Sequence, residues 1–582
     1  MSKKIFLNFI CVVLTGAIIL SCKKSNNGGG TPPPPPPPDT AVVVNPQVDP
    51  PLANTIGFFL DDWQPVNFVT PSYQDTVIAT PATYTVTVDR SVVITKVPRA
   101  MFGNNSNLWM TQIVTEPSLM SHITKLHPHI IRFPGGSISD VFFWNAMPNT
   151  PPADAPAQLL NASGVAAPSG FWFGKNNDGW TFSVDNYYNM LQQTGNKGII
   201  TINYGYARYG KSANPVAAAA HLAADWVRYD NGRTQYWEIG NENYGDWEAG
   251  YRIKTADNQD GQPEILTGQL YGQHFKVYVD SMKKAAQEIG KTIYIGAVLV
   301  EAQPQSWETN TRKNWNNGVM TEVNGKADFY VVHNYYTPYN TNSTAADILN
   351  TATTETSKMM NFVKQSWQTN GATAKPIALD EWNIFATGSK QQVSHINGMH
   401  AVLLLGEALK NSYGMSARWD LANGWSNGDD HGMFNNGDEP DAVPKWNPRP
   451  AFYHMYYFQK FLGDRVVASS ISGTTDIETV ASSFSSGETG VALTNKSTTN
   501  RTVEIKINNF RKGNRFYYYV LSGGTDNGEF SRKVFVNGKS STYASGGPAN
   551  YETLNAYSST TTNGIKVTVP ARSVVCLVVA KQ

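Results

Sequence analysis

The sequence predicts an α/β chain built on a (β/α)8 barrel, followed by an all-β sandwich domain. Three observations carry that expectation. Between residues 99 and 464, short apolar strands alternate with amphipathic helical stretches, the pattern of parallel βα units. Eight such strands can be counted, the number that closes a barrel with its active site at the C-terminal strand ends. After residue 465 helical periodicity stops, and Val-, Ile- and Thr-rich strands separated by Gly, Ser, Asn and Asp turns take over, as in a sandwich.

The eight strands are read at Arg99–Asn104, Ile130–Pro134, Gly198–Asn203, Tyr236–Gly240, Thr292–Val298, Asp328–Asn334, Pro376–Asp380 and Met415–Asp420. Helical patterns fall between many of them. Val216–Tyr229 is Ala-rich with an apolar face, and Leu270–Ile289 stops before Gly290, a C-terminal helix signal. Ser394–Asn411 and Pro450–Phe461 follow. The rival, an open doubly wound sheet, lacks a Gly-rich dinucleotide or phosphate fingerprint here. Sandwich strands are read at 466–468, 480–484, 491–495, 502–507, 516–520 and 565–569. The alternating run at 83–97 predicts strands within an N-terminal segment, 51–98, that joins the sandwich from the other end of the chain.

The first residues read as an export leader. Lys3 and Lys4 precede an apolar stretch from Ile5 to Leu20, too short and wrongly flanked for a stable membrane span. Ile19-Leu20-Ser21-Cys22 resembles a lipobox, the signal of bacterial lipoproteins. That resemblance implies a signal peptide over 1–21, acylation of Cys22 and a lipid anchor on a bacterial membrane, with the outer membrane expected. Residues 22–50 are expected to be a linker, containing a Ser/Asn/Gly stretch and seven prolines, Pro32 to Pro38.

Net charge is +1 and no basic patch stands out, so nucleic acid is not an expected partner. The three cysteines are Cys11, Cys22 and Cys576; the last lies in an apolar strand-like run and is read as core. A four-cysteine metal site is excluded, no His-Glu-x-x-His motif occurs, and neither metal nor cofactor is expected. Aromatics make up 12% of the chain, which suits stacking on sugar rings but also suits a large core.

Residues at barrel strand ends are the candidates for chemistry. The second strand ends in Arg132-Phe133-Pro134-Gly135-Gly136, and the fourth in Gly240-Asn241-Glu242-Asn243. The sixth ends in His333-Asn334-Tyr335-Tyr336, and the seventh in Asp380-Glu381-Trp382-Asn383. Two glutamates, Glu242 and Glu381, meet the need of retaining glycoside hydrolysis: one acid and base, one nucleophile, with carboxyls about 5–5.5 Å apart. Asn241 is placed to meet a sugar hydroxyl, Arg132 to pair with a carboxylate, and His333 and Tyr335 to orient the nucleophile or the sugar. Trp144, Trp247, Trp382 and Trp425 are candidates for sugar stacking, loop packing being the alternative. Asp380 is expected to face away from Glu381, because adjacent strand residues alternate. Glu238, four residues before Glu242, reads as a buried paired carboxylate. His431 is open between substrate, metal and no role, and the acidic run Asp438-Glu439-Pro440-Asp441 between Ca²⁺ and an exposed loop.

These motifs carry a family resemblance. Gly240-Asn241-Glu242 with Gly245, Trp247 and Gly250 looks like the acid/base motif of glycoside hydrolase family 51, the α-L-arabinofuranosidases of clan A. Asp380-Glu381-Trp382-Asn383 is similar to its nucleophile motif, and the second- and sixth-strand signatures resemble it as well. The resemblance spans about residues 99–460 and implies a (β/α)8 barrel, a retaining mechanism, no metal, Glu242 as acid/base and Glu381 as nucleophile. The expected substrate is a plant or algal polysaccharide carrying α-L-arabinofuranosyl groups. Ser137–Trp144 and Arg418–Phe434 depart from the family pattern. A second reading keeps the clan and changes the sugar to that of an endo-acting agarase, xylanase or glucuronidase. A third, of another class, is a non-catalytic glycan-binding surface lipoprotein.

Overall fold

The computed structural model describes residues 44–582, apart from 79, 386–389 and 525. The leader, Cys22 and the polyproline run lie outside the described residues. Among the described residues, no helix is long and apolar enough to cross a membrane.

Eight parallel strands close into a barrel, and all eight overlap the expected segments. In chain order they are Gly103–Asn105, Ile130–Phe133, Lys197–Ile202, Tyr236–Ile239, Tyr294–Val298, Phe329–Asn334, Ile377–Trp382 and Met415–Arg418. The first is shorter than expected, because Arg99–Phe102 winds into a 3-10 turn after Pro98. Outer helices include Pro215–Asp230, Gly268–Glu288, His395–Lys410 and Pro450–Phe461. The helix Gly268–Glu288 ends where Gly290 takes a φ of +64°, a conformation that costs glycine least.

The barrel interior is layered. Ile130, Ile199, Tyr236, Val331, Ala378 and Met415 point inward and form an apolar floor. Side chains repeat every second residue along a strand. Two positions further on, at the C-terminal end, the same inward face carries Arg132, Thr201, Glu238, His333 and Asp380. The apolar floor thus supports a buried polar layer directly under the barrel mouth. From below it is closed by Ile56 and Phe59, with Phe58 stacked on Tyr294 at 3.8 Å. This plug comes from Gly57–Leu60, a 3-10 turn within the segment where only strands were expected. Phe59 is wholly buried, so Phe59→Ala is expected to cost about 3–5 kcal/mol in urea unfolding.

Most of the remaining strands form one 11-stranded sheet, and the other six make three two-stranded ribbons. Tyr84–Lys96 lies inside it, antiparallel to Arg465–Ser472 and parallel to Arg501–Asn508. Residues from both ends of the sheet share one core: Val567 from Ile565–Val569, and Phe516 and Leu577 from Lys512–Ser522 and Ser573–Lys581. The sheet therefore doubles over on itself as a sandwich. Along Ser573–Lys581, Val575, Leu577 and Val579 fill that core, while Val574, Cys576 and Val578 belong to the core of the barrel helices. Contacts begin inside the stretch expected to be linker. Gln47 donates to Arg90 O and Ser483 Oγ, and Asp49 pairs with Arg465 and Lys96.

His400, on the helix His395–Lys410, is fully buried, and burial pushes its imidazole down to about 3. A histidine kept neutral in the fold stabilises above its unfolded pKa and loses that contribution as pH falls toward the folded one. The stability of His400→Phe relative to the parent is therefore expected to rise as pH falls from about 6.5 toward 4. The slope is up to about 1.4 kcal/mol per pH unit in denaturant titrations.

Candidate active site

Arg132, rising from the second strand and completely buried, is the centre of the polar layer. Its Nη1 donates to Glu381 Oε2 at 2.8 Å and to Asn105 Oδ1 at 3.0 Å. Its Nη2 donates to Asn241 Oδ1 at 2.9 Å, and its Nε donates to Glu238 Oε1 at 2.6 Å. One guanidinium thus connects the ends of the first, second, fourth and seventh strands. Only a planar fork with several fixed donors does this.

Glu381 is held at both oxygens, Oε2 by Arg132 and Oε1 by the Tyr335 hydroxyl at 2.8 Å. Glu242 lies across the mouth, where His333 Nδ1 stands 3.0 Å from its Oε1. One oxygen of Glu242 and one of Glu381 lie within 4.8 Å of each other and of a His333 nitrogen. Both carboxyls are largely enclosed, with side-chain exposures of 17% and 7%.

The backbone at the fourth strand end is special. Gly240 has φ +77°, and a Cβ there would stand 1.9 Å from Asn243 Oδ1, so no other residue fits. Glu242 itself has φ +43°, left-handed for a non-glycine residue. Such strain persists only where surroundings over-determine it. Here Asp140 Oδ2 accepts from Asn241 N and Asn243 Nδ2, and Glu248 Oε1 accepts from Asn241 Nδ2 and Ser137 Oγ. Asp140, Ser137 and Glu248 are residues that sequence reasoning missed. Asp140 and Ser137 sit in a segment that departs from the family pattern, and no local motif marked them.

The expected alternation at Asp380-Glu381 requires correction. Asp380 follows the strand period and faces inward from Ala378. Glu381 also turns inward, because the register of the seventh strand shifts between Leu379 and Trp382. Both acids therefore reach Arg132 and His333. The same irregularity sends Trp382 outward into the helix-side core, wholly buried. Its expected sugar-stacking role is corrected accordingly. Trp144 is also corrected: it stacks on Trp226 at 5.6 Å and donates to Leu222 O, against the outer helix Pro215–Asp230. Trp425 has the guanidiniums of Arg449 and Arg532 over its ring at 5.7 and 5.2 Å. Trp247 remains 56% exposed on the loop that carries Glu242, the one of the four with a free face. His431 is half-buried, packed against Tyr335 and Phe385. In the acidic run, Glu439 is buried between Arg449 and Arg532, and Asp441 also pairs with Arg532. Asp438 and Asp441 are exposed, so the run is a surface loop anchored through Glu439.

Opposing effects meet at Glu242. Burial raises a carboxyl, but the hydrogen bond and charge of His333, with Arg312 and Arg132 behind, hold Glu242 below its ordinary value. His333 is held well above its own: burial lowers it, while the charge of Glu381 and the hydrogen bonds of Asp380 and Glu242 outweigh burial. Burial alone would favour a proton on Glu242. The contact instead places one proton in the His333–Glu242 pair, resting on the imidazole side. Such a pair titrates as a unit. Two trios, Glu238/His333/Asp380 and Glu242/His333/Glu381, have the spacing of metal ligands. The cation among them is the Arg132 guanidinium, 2.5 Å from Glu238 and 2.8 Å from Glu381.

Residues 122–347 match the family model of the α-L-arabinofuranosidase 1 domain, which takes in the second to sixth barrel strands and Glu242. No curated protein matches the sequence. Among solved structures, the chain is similar to the α-L-arabinofuranosidase of Thermotoga maritima, with TM-score 0.58 and 16% identity over 85% of this chain and 99% of that one. It is similar to AbfB, a family 51 α-L-arabinofuranosidase of Bifidobacterium longum, with TM-score 0.60 and 15% identity over 86% of this chain and all of that one. A family 44 xyloglucanase of Paenibacillus polymyxa shares the fold at TM-score 0.52 and 12% identity, over 86% of this chain and all of that one. At such identities these structures show the fold, and the domain match carries the kind of enzyme. With that match lying across the barrel strands that carry Glu242, the chain is a glycoside hydrolase whose central part is similar to the α-L-arabinofuranosidase 1 domain.

Proposed function

We propose that the enzyme removes α-L-arabinofuranosyl groups with net retention, using Glu381 as nucleophile and Glu242 as acid and base. One observation carries this reading. The facing oxygens of Glu242 and Glu381 lie within 4.8 Å, while both oxygens of Glu381 are oriented by Arg132 and Tyr335. Retaining enzymes hold their carboxyls about 5–5.5 Å apart, whereas inverting ones leave about 6.5–9.5 Å for a water. The domain match supports the sugar.

In the first step a Glu381 oxygen bonds to the anomeric carbon as the bond to the leaving oxygen breaks. Glu242 delivers the proton that the leaving oxygen takes up, drawing on the pair it forms with His333. In the second step Glu242 takes a proton from water, the hydroxyl bonds to the anomeric carbon, and Glu381 leaves as carboxylate. The arginine and tyrosine donors on Glu381 orient it for both steps. Anchoring at Cys22 on a bacterial membrane belongs to the same proposal and rests on the leader alone. Cys22→Ala is expected to release the protein from the membrane fraction of expressing cells.

The test is hydrolysis of an aryl α-L-arabinofuranoside by the chain from Val44 onward, with the first-formed anomer read by NMR. The α anomer is expected. Inversion would remove the mechanism, and inertness on this sugar would remove the substrate. Glu242→Ala is expected to lose far more activity on substrates with poor leaving groups than on activated aryl glycosides, because only the former need its proton.

A further inference from the structure

Beneath the two glutamates lies a second pair of acids that the double displacement leaves unused. Glu238 and Asp380 are both wholly buried, and polar atoms of the two lie within 4.8 Å of each other and of His333. Glu238 Oε1 is well supplied, by Arg132 and by the Thr201 hydroxyl at 2.5 Å. Among the described residues, no donor makes a well-aligned hydrogen bond to Glu238 Oε2 or to either oxygen of Asp380. The nearest cationic atoms to Asp380 are His333 Nε2 at 3.2 Å and Arg132 Nε at 3.8 Å. Buried acceptors without donors are costly, and two buried carboxylates facing one another cost more. A single proton shared between them removes the repulsion and gives one Asp380 oxygen a donor.

The charge count agrees. Four carboxyls enter the layer, from Glu238, Glu242, Asp380 and Glu381, and two cations face them, Arg132 and His333. Full ionisation would leave about two uncompensated negative charges out of water, which a protein relieves by taking up protons. The groups packed around Glu238 are Arg132 on the second strand, Thr201 on the third, His333 on the sixth and Asp380 on the seventh. Tyr271, on the helix Gly268–Glu288, donates its hydroxyl to Ile239 O. None of these offers a donor to Glu238 Oε2.

We propose that Glu238 and Asp380 hold one proton between them, with Glu238 Oε2–H donating to Asp380, and that Glu238 is a positioning residue acting as a neutral acid. It keeps Asp380 ionised against His333 Nε2. His333 then keeps its second proton, on Nδ1, directed at Glu242. This rests on the reading of Glu242 as acid and base. Burial pushes Glu238 up to about 8, in the direction the geometry requires.

Two variants of the full chain test it. Glu238→Gln replaces a neutral acid by a neutral amide of the same shape that can still donate to Asp380. Its melting temperature and the pH midpoints of its kcat/KM profile through neutrality are expected to match the parent. Asp380→Asn removes the anion that holds the His333 proton. The alkaline limb of kcat/KM is expected to move to lower pH by a unit or more. A Glu238→Gln variant that folds but loses more than about thirtyfold in kcat, with a displaced pH profile, would show Glu238 to be an ionised partner of Arg132 and overturn the proposal. If either variant fails to fold, a neutron structure of the parent at neutral pD decides. Deuterium on Glu238 Oε2 is expected, and its absence overturns the shared proton. That readout is independent of which glutamate is acid and base, a question the leaving-group dependence of Glu242→Ala addresses separately.

Discussion

Glu381→Ala is expected to lower kcat by roughly 10⁴-fold or more on an aryl arabinofuranoside, the scale of losing a central catalytic group. The fold should survive, because Arg132 keeps Glu238, Asn105 and Asn241 as partners when this carboxyl is removed. Circular dichroism and a melting curve beside the rate separate the two effects. A smaller loss would mean that another group can reach the anomeric carbon. Asp380 is the nearest competitor on the same strand, but it lies wholly buried below the mouth, beneath Glu381.

Arg132→Met is expected to damage both activity and stability. Among the described residues its guanidinium is the only donor to Glu381 Oε2 and Asn241 Oδ1, and it also donates to Glu238. Removing one partner of a buried ion pair costs about 3–5 kcal/mol, because the other charge is left uncompensated. The loss of orientation at Glu381 is expected to lower kcat/KM by on the order of 10³-fold, as loss of a preorganised donor does. Arg132→Lys is expected to recover little of either, since a single ammonium cannot reach carboxylates on two strands and an amide on a third. Urea unfolding and steady-state kinetics on both variants check this. A lysine variant with near-parental kinetics would show that charge alone matters at this position.

Much of the barrel was legible because its strands are short apolar runs with turns between them, a pattern that burial on both faces enforces. The strand ends followed from the same pattern, and with them Arg132, Glu242, His333, Tyr335 and Glu381, which the structure brings together. What alternation could not show was the shift in the seventh strand. It turns Asp380 and Glu381 to the same side and Trp382 to the other, so one irregularity changed three assignments. The tryptophans were ambiguous because a ring that stacks on sugar and one that stacks on another tryptophan have the same composition. Trp144 proved to be the latter. Asp140 and Glu248 act through backbone amides and side chains distant in sequence, so no spacing announces them. Phe59 closes the barrel floor from a segment with no regular strand or long helix, where periodicity has nothing to report.

The central claim is a covalent glycosyl-enzyme on Glu381, and trapping it is the most direct test. Glu242→Ala, mixed with an activated aryl α-L-arabinofuranoside, should form the intermediate while lacking the base that releases it. Intact-mass and peptide mass spectrometry should then show one pentosyl adduct on the peptide containing Glu381. An adduct on another residue would contradict the assignment, and a released product of inverted configuration with no adduct would contradict the double displacement.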